Sequence, residues 1–184
     1  MRKISLFMHV SLDGYFEAPG HDISWARGDV EVFSLKEGQE YDTILLGHRT
    51  YDLMKEFWPT PEAFEFDPAI AKFMNESLKL VASHSSFEPG WSNVTVIMGD
   101  VTGEVRKLKE QAGKSIIIIG SNSLCTSLMQ EDLVDEFQLV LNPVALGEGS
   151  SLFAGLQKKA NLTLIDTRTF GSGAILLTYK RSEE

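Results

Sequence analysis

The run Ile116-Ile117-Ile118-Ile119, closed by Gly120, limits the possible folds of this chain more than any other stretch. Successive residues of a strand point to opposite faces, so four isoleucines in a row require apolar cover on both sides of a sheet. Parallel strands between helical layers meet that requirement, because each crossover of about a dozen residues or more lays a helix over the sheet. Alternation and β-branched content predict strands at Lys3 to Val10, Thr43 to Leu46, Lys79 to Ser83, Val94 to Met98, Ser115 to Ile119, Glu136 to Pro143, Leu162 to Phe170 and Ala174 to Lys180. Helical spacing predicts helices over Val30 to Glu40, Thr50 to Phe57, Val101 to Ala112 and Ser121 to Gln130. Gly171-Ser172-Gly173 is a hairpin signal between the last two strands. The expected architecture is therefore α/β, with a central mixed, mostly parallel sheet and an antiparallel C-terminal hairpin. Trp58-Pro59-Thr60-Pro61 and Phe64 to Pro68 read as an irregular excursion that could rim a site or an interface.

At 184 residues and 43% hydrophobic composition, residues 1–184 read as a single domain with a sizeable core. The net charge of -9 and pI of 4.9 oppose a polyanionic partner, so no nucleic acid is expected. Met1-Arg2-Lys3 followed by Ile4 to Val10 has the charge of a signal peptide without its apolar length or cleavage site. No apolar run approaches the ~20 residues of a membrane span, and a cytoplasmic protein is expected. Cys125 sits on the packed side of a helix and reads as an inert buried thiol. Four histidines without H-x-x-H or C-x-x-C spacing give no metal site. The G-x-S-x-G elbow of hydrolases and the G-x-G-x-x-G fingerprint of dinucleotide binding are both absent.

Chemistry concentrates where strands end. Ile44-Leu45-Leu46 breaks at Gly47 and continues as His48-Arg49-Thr50-Tyr51 into a helix. A helix N-terminus carries backbone N–H groups without partners and about half a positive charge, and the three side chains add donors there. Ile116 to Ile119 ends likewise in Gly120-Ser121-Asn122-Ser123-Leu124, whose small and polar residues let a ligand approach the backbone. Ser121 or Asn122 could instead cap the next helix. Val81-Ala82-Ser83 exits into His84-Ser85-Ser86, groups able to hydrogen-bond a ribose or its phosphate. Ligands of open α/β sheets gather outside the carboxyl ends of neighbouring strands, so these turns together could cradle a dinucleotide. His9 reads either as a core or pocket-wall histidine or as a catalytic one. Asp13 before Gly14 is either a turn former or an acid. Trp25 and Phe33 are either core or an apolar floor for a flat heteroaromatic ligand.

These segments resemble the dihydrofolate reductase fold through the strand-Gly-basic-Thr-aromatic pattern of Ile44 to Tyr51. Ser11-Leu12-Asp13-Gly14-Tyr15, Val81-Ala82-Ser83, Ile118-Ile119-Gly120, Leu133-Val134-Asp135-Glu136 and Pro143-Val144-Ala145-Leu146-Gly147-Glu148-Gly149-Ser150-Ser151-Leu152-Phe153 follow in order. The whole resembles the reductase domain of the bifunctional riboflavin-biosynthesis deaminase/reductase in its stand-alone bacterial form. The resemblance implies a three-layer α/β/α fold and an NADPH-dependent reductase of a pyrimidine- or pterin-like substrate. It implies cofactor contacts from Gly47, His48, Arg49, Thr50, Ser83, His84, Gly120, Ser121, Asn122, Ser123 and Leu124. On the substrate side it points to His9, Asp13, Trp25, Asp29, Phe33 and Gly147. Two departures stand out. Ser121 occupies the place of a second glycine, altering the tight turn that lets the cofactor approach the backbone, and Asn122 and Ser123 put side chains where a pyrophosphate would lie. The acid expected on the first helix falls on Val30, between Asp29 and Glu31, so no catalytic residue is assigned. A non-catalytic dimeric nucleotide-binding protein with a decayed reductase site is the alternative. The segment Glu136 to Phe153 is apolar beyond the needs of one strand, and a homodimer using it is expected.

Overall fold

The computed structural model describes residues 1–26 and 41–182. The helix expected over Val30 to Glu40, with Asp29 and Phe33, lies outside the described residues. The first strand, β1, runs from Ile4 to Val10, followed by a short strand β2 (Tyr15–Glu17) and a 3-10 turn at Pro19–His21. Strand β3 (Tyr41–Gly47) leads into α1 (His48–Phe57), then α2 (Pro61–Phe66) and α3 (Pro68–Glu76). Next come β4 (Leu78–Ala82), β5 (Val94–Ile97), α4 (Val101–Glu110), β6 (Ser115–Ile119) and α5 (Asn122–Gln130). The chain closes with β7 (Glu136–Leu141), β8 (Ser150–Ser151), β9 (Leu162–Thr169) and β10 (Ile175–Arg181). One sheet has the order β5-β4-β3-β6-β1-β7-β10-β9, and β2 pairs separately with β8.

The pairing from β5 through β7 is parallel, while β10 runs antiparallel to both β7 and β9. The isoleucine strand β6 lies in the interior between β3 and β1, as its sequence demands. Ile116 and Ile118 pack with Val105 of α4 and with Leu124, Cys125 and Leu128 of α5. Ile117 faces the opposite layer, with Tyr51 of α1 and Ile70 and Met74 of α3. Ile116, Ile117 and Ile118 are completely buried, each contributing roughly 1.5–3 kcal/mol relative to exposure. Strand β7 is also interior, with Phe137, Leu139 and Val140 buried, so the apolar character of 136–141 is accounted for by the protein's own core.

The excursion expected between residues 58 and 68 is a correction, because two helices form there. Pro61 and Pro68 each sit in a first turn, where a missing N–H costs nothing and the fixed φ suits a helix. The Asp67 carboxylate accepts from the amides of Ala69 and Ile70, both at 2.9 Å. The prolines taken as breakers are helix starters. Helix α1 likewise begins two residues before the expected Thr50. The β2–β8 pair, three and two residues long, has too little periodicity to announce itself.

Lys79 of β4 is completely buried. Its ammonium donates to the carbonyls of Met74 (2.8 Å), Ser77 (2.8 Å) and Asn75 (3.2 Å), closing the C-terminal end of α3, and lies 4.5 Å from the Trp91 ring centre. Burial pulls its pKa down to about 8, while the carbonyls and the ring face favour the charged form, so the ammonium persists at neutral pH. Lys79→Met leaves those carbonyls without a donor, and urea unfolding should show a loss of about 2–3 kcal/mol.

Candidate active site

The register sets the site. Leu45 of β3 pairs with Ile118 of β6, so two residues further on Gly47 and Gly120 stand at the same level. On the other side Gly47 pairs with Ala82, which puts Ser83 beside the start of α1. Three strand ends therefore open onto one edge. Gly120 and Ser121 both take left-handed backbone conformations, with φ of 65° and 63°. For a serine that conformation costs of order 1 kcal/mol. The Ser121 hydroxyl offsets the cost by accepting from the Gly47 amide (2.7 Å) and donating to the Thr50 hydroxyl (2.9 Å). The two turns pack tightly. A Cβ on Gly47 would meet Ser121 Oγ at 3.1 Å, and one on Gly120 would meet Thr50 Cγ2 at 3.0 Å. Ser121 thus occupies a glycine-like conformation with its side chain tied back to the neighbouring turn.

A cleft of about 830 Å³ lies over these turns, a volume suited to a nucleotide-sized ligand. Gly47, His48, Arg49, Thr50, Ser83, His84, Ser121, Asn122, Ser123 and Leu124 all line it. Gly120 is not among the lining residues; it sits against Thr50 and sets the course of the turn. The cleft also takes in Phe16, Glu17 and Ser150 from the β2–β8 pair, and Gly99 to Thr102 at the mouth of α4. Sequence reasoning missed these. Asp100 before a helix is a recognisable capping signal, but no local pattern reveals Glu17, whose place depends on pairing with a strand more than a hundred residues away.

Helix ends supply positive potential. Neither Gly47 at the start of α1 nor Ser121 at the start of α5 provides a side-chain cap, so the amides of both first turns remain open to an anion. The expectation that Ser121 could cap α5 is therefore corrected: its hydroxyl serves Gly47 and Thr50 instead. At α4 the Asp100 carboxylate accepts from the Gly103 amide (2.9 Å) and the Thr102 hydroxyl (3.0 Å), which hold its pKa below the usual range. Arg49 donates to the buried Glu17 at 2.5 Å. The His48 ring stacks on Phe87, with centroids 4.0 Å apart, and its Nδ1 is 3.1 Å from the Ser83 hydroxyl.

The substrate-side residues separate from this cleft. His9, Asp13, Trp25 and Gly147 do not line it. His9 sits on β1 with its ring edge-on to Phe7 and its Nδ1 3.4 Å from the Asn142 amide; burial pulls its pKa down. The Trp25 indole N–H donates to the Asp22 carbonyl at 3.1 Å. Asp13 accepts from the Ser11 hydroxyl (2.6 Å) and from the amides of Gly147 (2.7 Å) and Leu146 (3.0 Å). It is the clasp between the loop after β1 and the loop after β7, which brings Gly147 beside it. Cys125 is buried and its thiol is pushed up to about 12, far from a reactive thiolate.

Comparison with known proteins shows the family and the fold. The family model described as the RibD C-terminal domain matches residues 2–176. The uncharacterized protein YyaP of Bacillus subtilis is 34% identical over 179 residues, covering 97% of this chain and 94% of its own. Among solved structures, the diaminohydroxyphosphoribosylaminopyrimidine deaminase/5-amino-6-(5-phosphoribosylamino)uracil reductase of Thermotoga maritima superposes with a TM-score of 0.70 at 14% identity, covering 98% of this chain and 57% of that one. Dihydrofolate reductase from Enterococcus faecalis, complexed with NADP(H), superposes with a TM-score of 0.63 at 13% identity, covering 98% and 97%. The fold is that of dihydrofolate reductase.

Two outcomes follow from the turns. Gly120→Ala forces a Cβ against Thr50 in a left-handed backbone, and thermal unfolding should reveal a loss of about 1–3 kcal/mol. The Ser11 hydroxyl and the two amides hold the Asp13 carboxyl at about 2, below its unfolded value, so what it contributes is intact above the ordinary carboxylate range and lost as pH falls through 2. The Leu146 and Gly147 amide resonances should accordingly stay fixed from pH 6 to about 4 and shift together near 2; a shift centred at the ordinary carboxylate value would contradict the clasp.

Proposed function

The chain belongs to the RibD C-terminal domain family, and from that premise we propose that it is an NADPH-dependent reductase of a pyrimidine-like heterocycle. The observation that carries this reading is the pair of uncapped helix N-termini, at Gly47 and Ser121, held level in one cleft. Two anion-binding ends beside the Ser83–His84 hydroxyl and imidazole suit a pyrophosphate flanked by a ribose. The dihydrofolate reductase with which the fold superposes binds NADP(H), and the Thermotoga maritima enzyme is named as a uracil reductase.

In this reading the first-turn amides of α1 and α5 hold the pyrophosphate, and Thr50, fixed by Ser121, orients its hydroxyl beside it. Ser83 and His84 take the adenosine ribose. The bound nicotinamide supplies a hydride. The protein contributes alignment and exclusion of water, which can be worth several kcal/mol without a catalytic acid in the cofactor cleft. The C-terminal end of β1, where His9 stands between the Phe7 ring and the Asn142 amide, is the side from which a substrate ring approaches. A homodimer expected from the segment 136–153 would have to use its later, exposed part around Phe153, since β7 itself is interior.

NADPH should enhance its nicotinamide fluorescence on titration with the protein and raise the melting temperature. Ser123→Asp, an exposed change in the first turn of α5, puts a carboxylate among those amides and should weaken NADPH at least about tenfold with the fold intact. Absence of binding at high micromolar NADPH, or an unchanged affinity in that variant, would refute the cofactor assignment. NADPH oxidation with 5-amino-6-(5-phosphoribosylamino)uracil, and none with dihydrofolate, is the expected substrate result.

A further inference from the structure

Glu17 is a buried carboxylate in the wall of a cleft that otherwise favours anions. One carboxylate oxygen accepts from Arg49 at 2.5 Å; the other accepts from the Ser150 hydroxyl at 2.8 Å and lies 3.1 Å from His21 Nδ1. His21 Nδ1 is in turn 2.8 Å from the second terminal nitrogen of Arg49. The ion pair therefore joins β2, and through Ser150 β8, to the first turn of α1. Among the described residues lining the cleft, Arg49 is the one that is always cationic, and its side chain is 54% exposed while that of Glu17 is 5% exposed. About half of its side chain is open to solvent, but its charge is answered by a buried carboxylate that water screens poorly. A phosphate arriving at α1 meets a guanidinium already partnered.

We propose that Glu17 is an internal counter-anion that offsets Arg49 and lowers the affinity of the cleft for the phosphate groups of its ligand. This rests on the reading of the cleft as a dinucleotide site. The carboxylate leaves the helix-end amides as the main attraction, so the site holds a pyrophosphate by geometry more than by net charge. Glu17 also explains how Arg49 can be present in an acidic protein without a large positive surface. The residue acts through Arg49 and by its field, without touching the ligand.

Glu17→Gln tests this, because glutamine can keep both the Arg49 and the Ser150 hydrogen bonds while removing the charge. Inorganic pyrophosphate, NADH and NADPH would each be titrated calorimetrically against the wild type, the Gln variant, Arg49→Ala and the double variant. The expected result is tighter pyrophosphate binding in the Gln variant by about tenfold, with a gain of the same sign for both dinucleotides. Measured against Arg49→Ala alone, the gain should persist in the double variant, because the Glu17 charge repels phosphate whether or not Arg49 is present. Equal affinities in wild type and variant, or equal loss for all three ligands, would overturn the proposal, the latter marking Glu17 as structural. Pyrophosphate binding without binding of either dinucleotide would remove the cofactor reading and leave the Glu17 question decided by pyrophosphate alone. Should the Gln variant not fold, the Arg49 guanidinium resonances of the wild type give the answer: pyrophosphate should shift them as the phosphate competes with Glu17, and unmoved resonances would overturn the proposal.

Discussion

The alignment of Gly47 with Gly120 at the ends of two neighbouring parallel strands is the constraint on which the rest of the site depends. It exists because β6 is buried on both faces and so must lie between β3 and β1, flanked by helical layers. Once the strands are in register, two helices start side by side. The Ser121 hydroxyl then fixes their separation by bridging the Gly47 amide and the Thr50 hydroxyl. A serine in place of glycine therefore costs backbone strain and returns a bond between the turns. Its hydroxyl is turned to the start of α1, while the residue itself lines the cleft.

Electrostatically the molecule resolves an apparent conflict. The chain carries a net charge of -9, yet two helix N-termini without side-chain caps open onto the cleft. The attraction comes from backbone amides at helix ends, which are fixed in direction and do not appear in any count of charged residues. Acidic side chains modulate it locally. Asp100 occupies the first turn of α4, and Glu17 answers Arg49. In the proposed function the site is defined by orientation, and a ligand presents its phosphates to both helix ends.

Much of the sheet was legible from residues alone, since β-branched runs and alternating patterns report burial on one or both faces. The Gly47 and Gly120 turns were legible for the same reason: a strand broken by glycine before a polar helix start has few alternatives. The helices at 61–66 and 68–76 were not, because proline signals both the end of one element and the first turn of another, and only the Asp67 cap decides between them. Glu17 was invisible, since a three-residue strand has no period and its partners Arg49 and Ser150 are remote in sequence. Asp13 showed its turn role through the adjacent glycine, but its two amide donors from the loop after β7 could be seen only in three dimensions.

Amide hydrogen exchange with and without NADPH tests the central claim most directly, because the claim concerns backbone N–H groups at two places at once. Saturating cofactor should slow exchange at 48–50 and at 122–124 together, with a midpoint at the same concentration for both turns. Protection confined to one turn, or arising at neither, would contradict a cradle formed by the paired ends of β3 and β6.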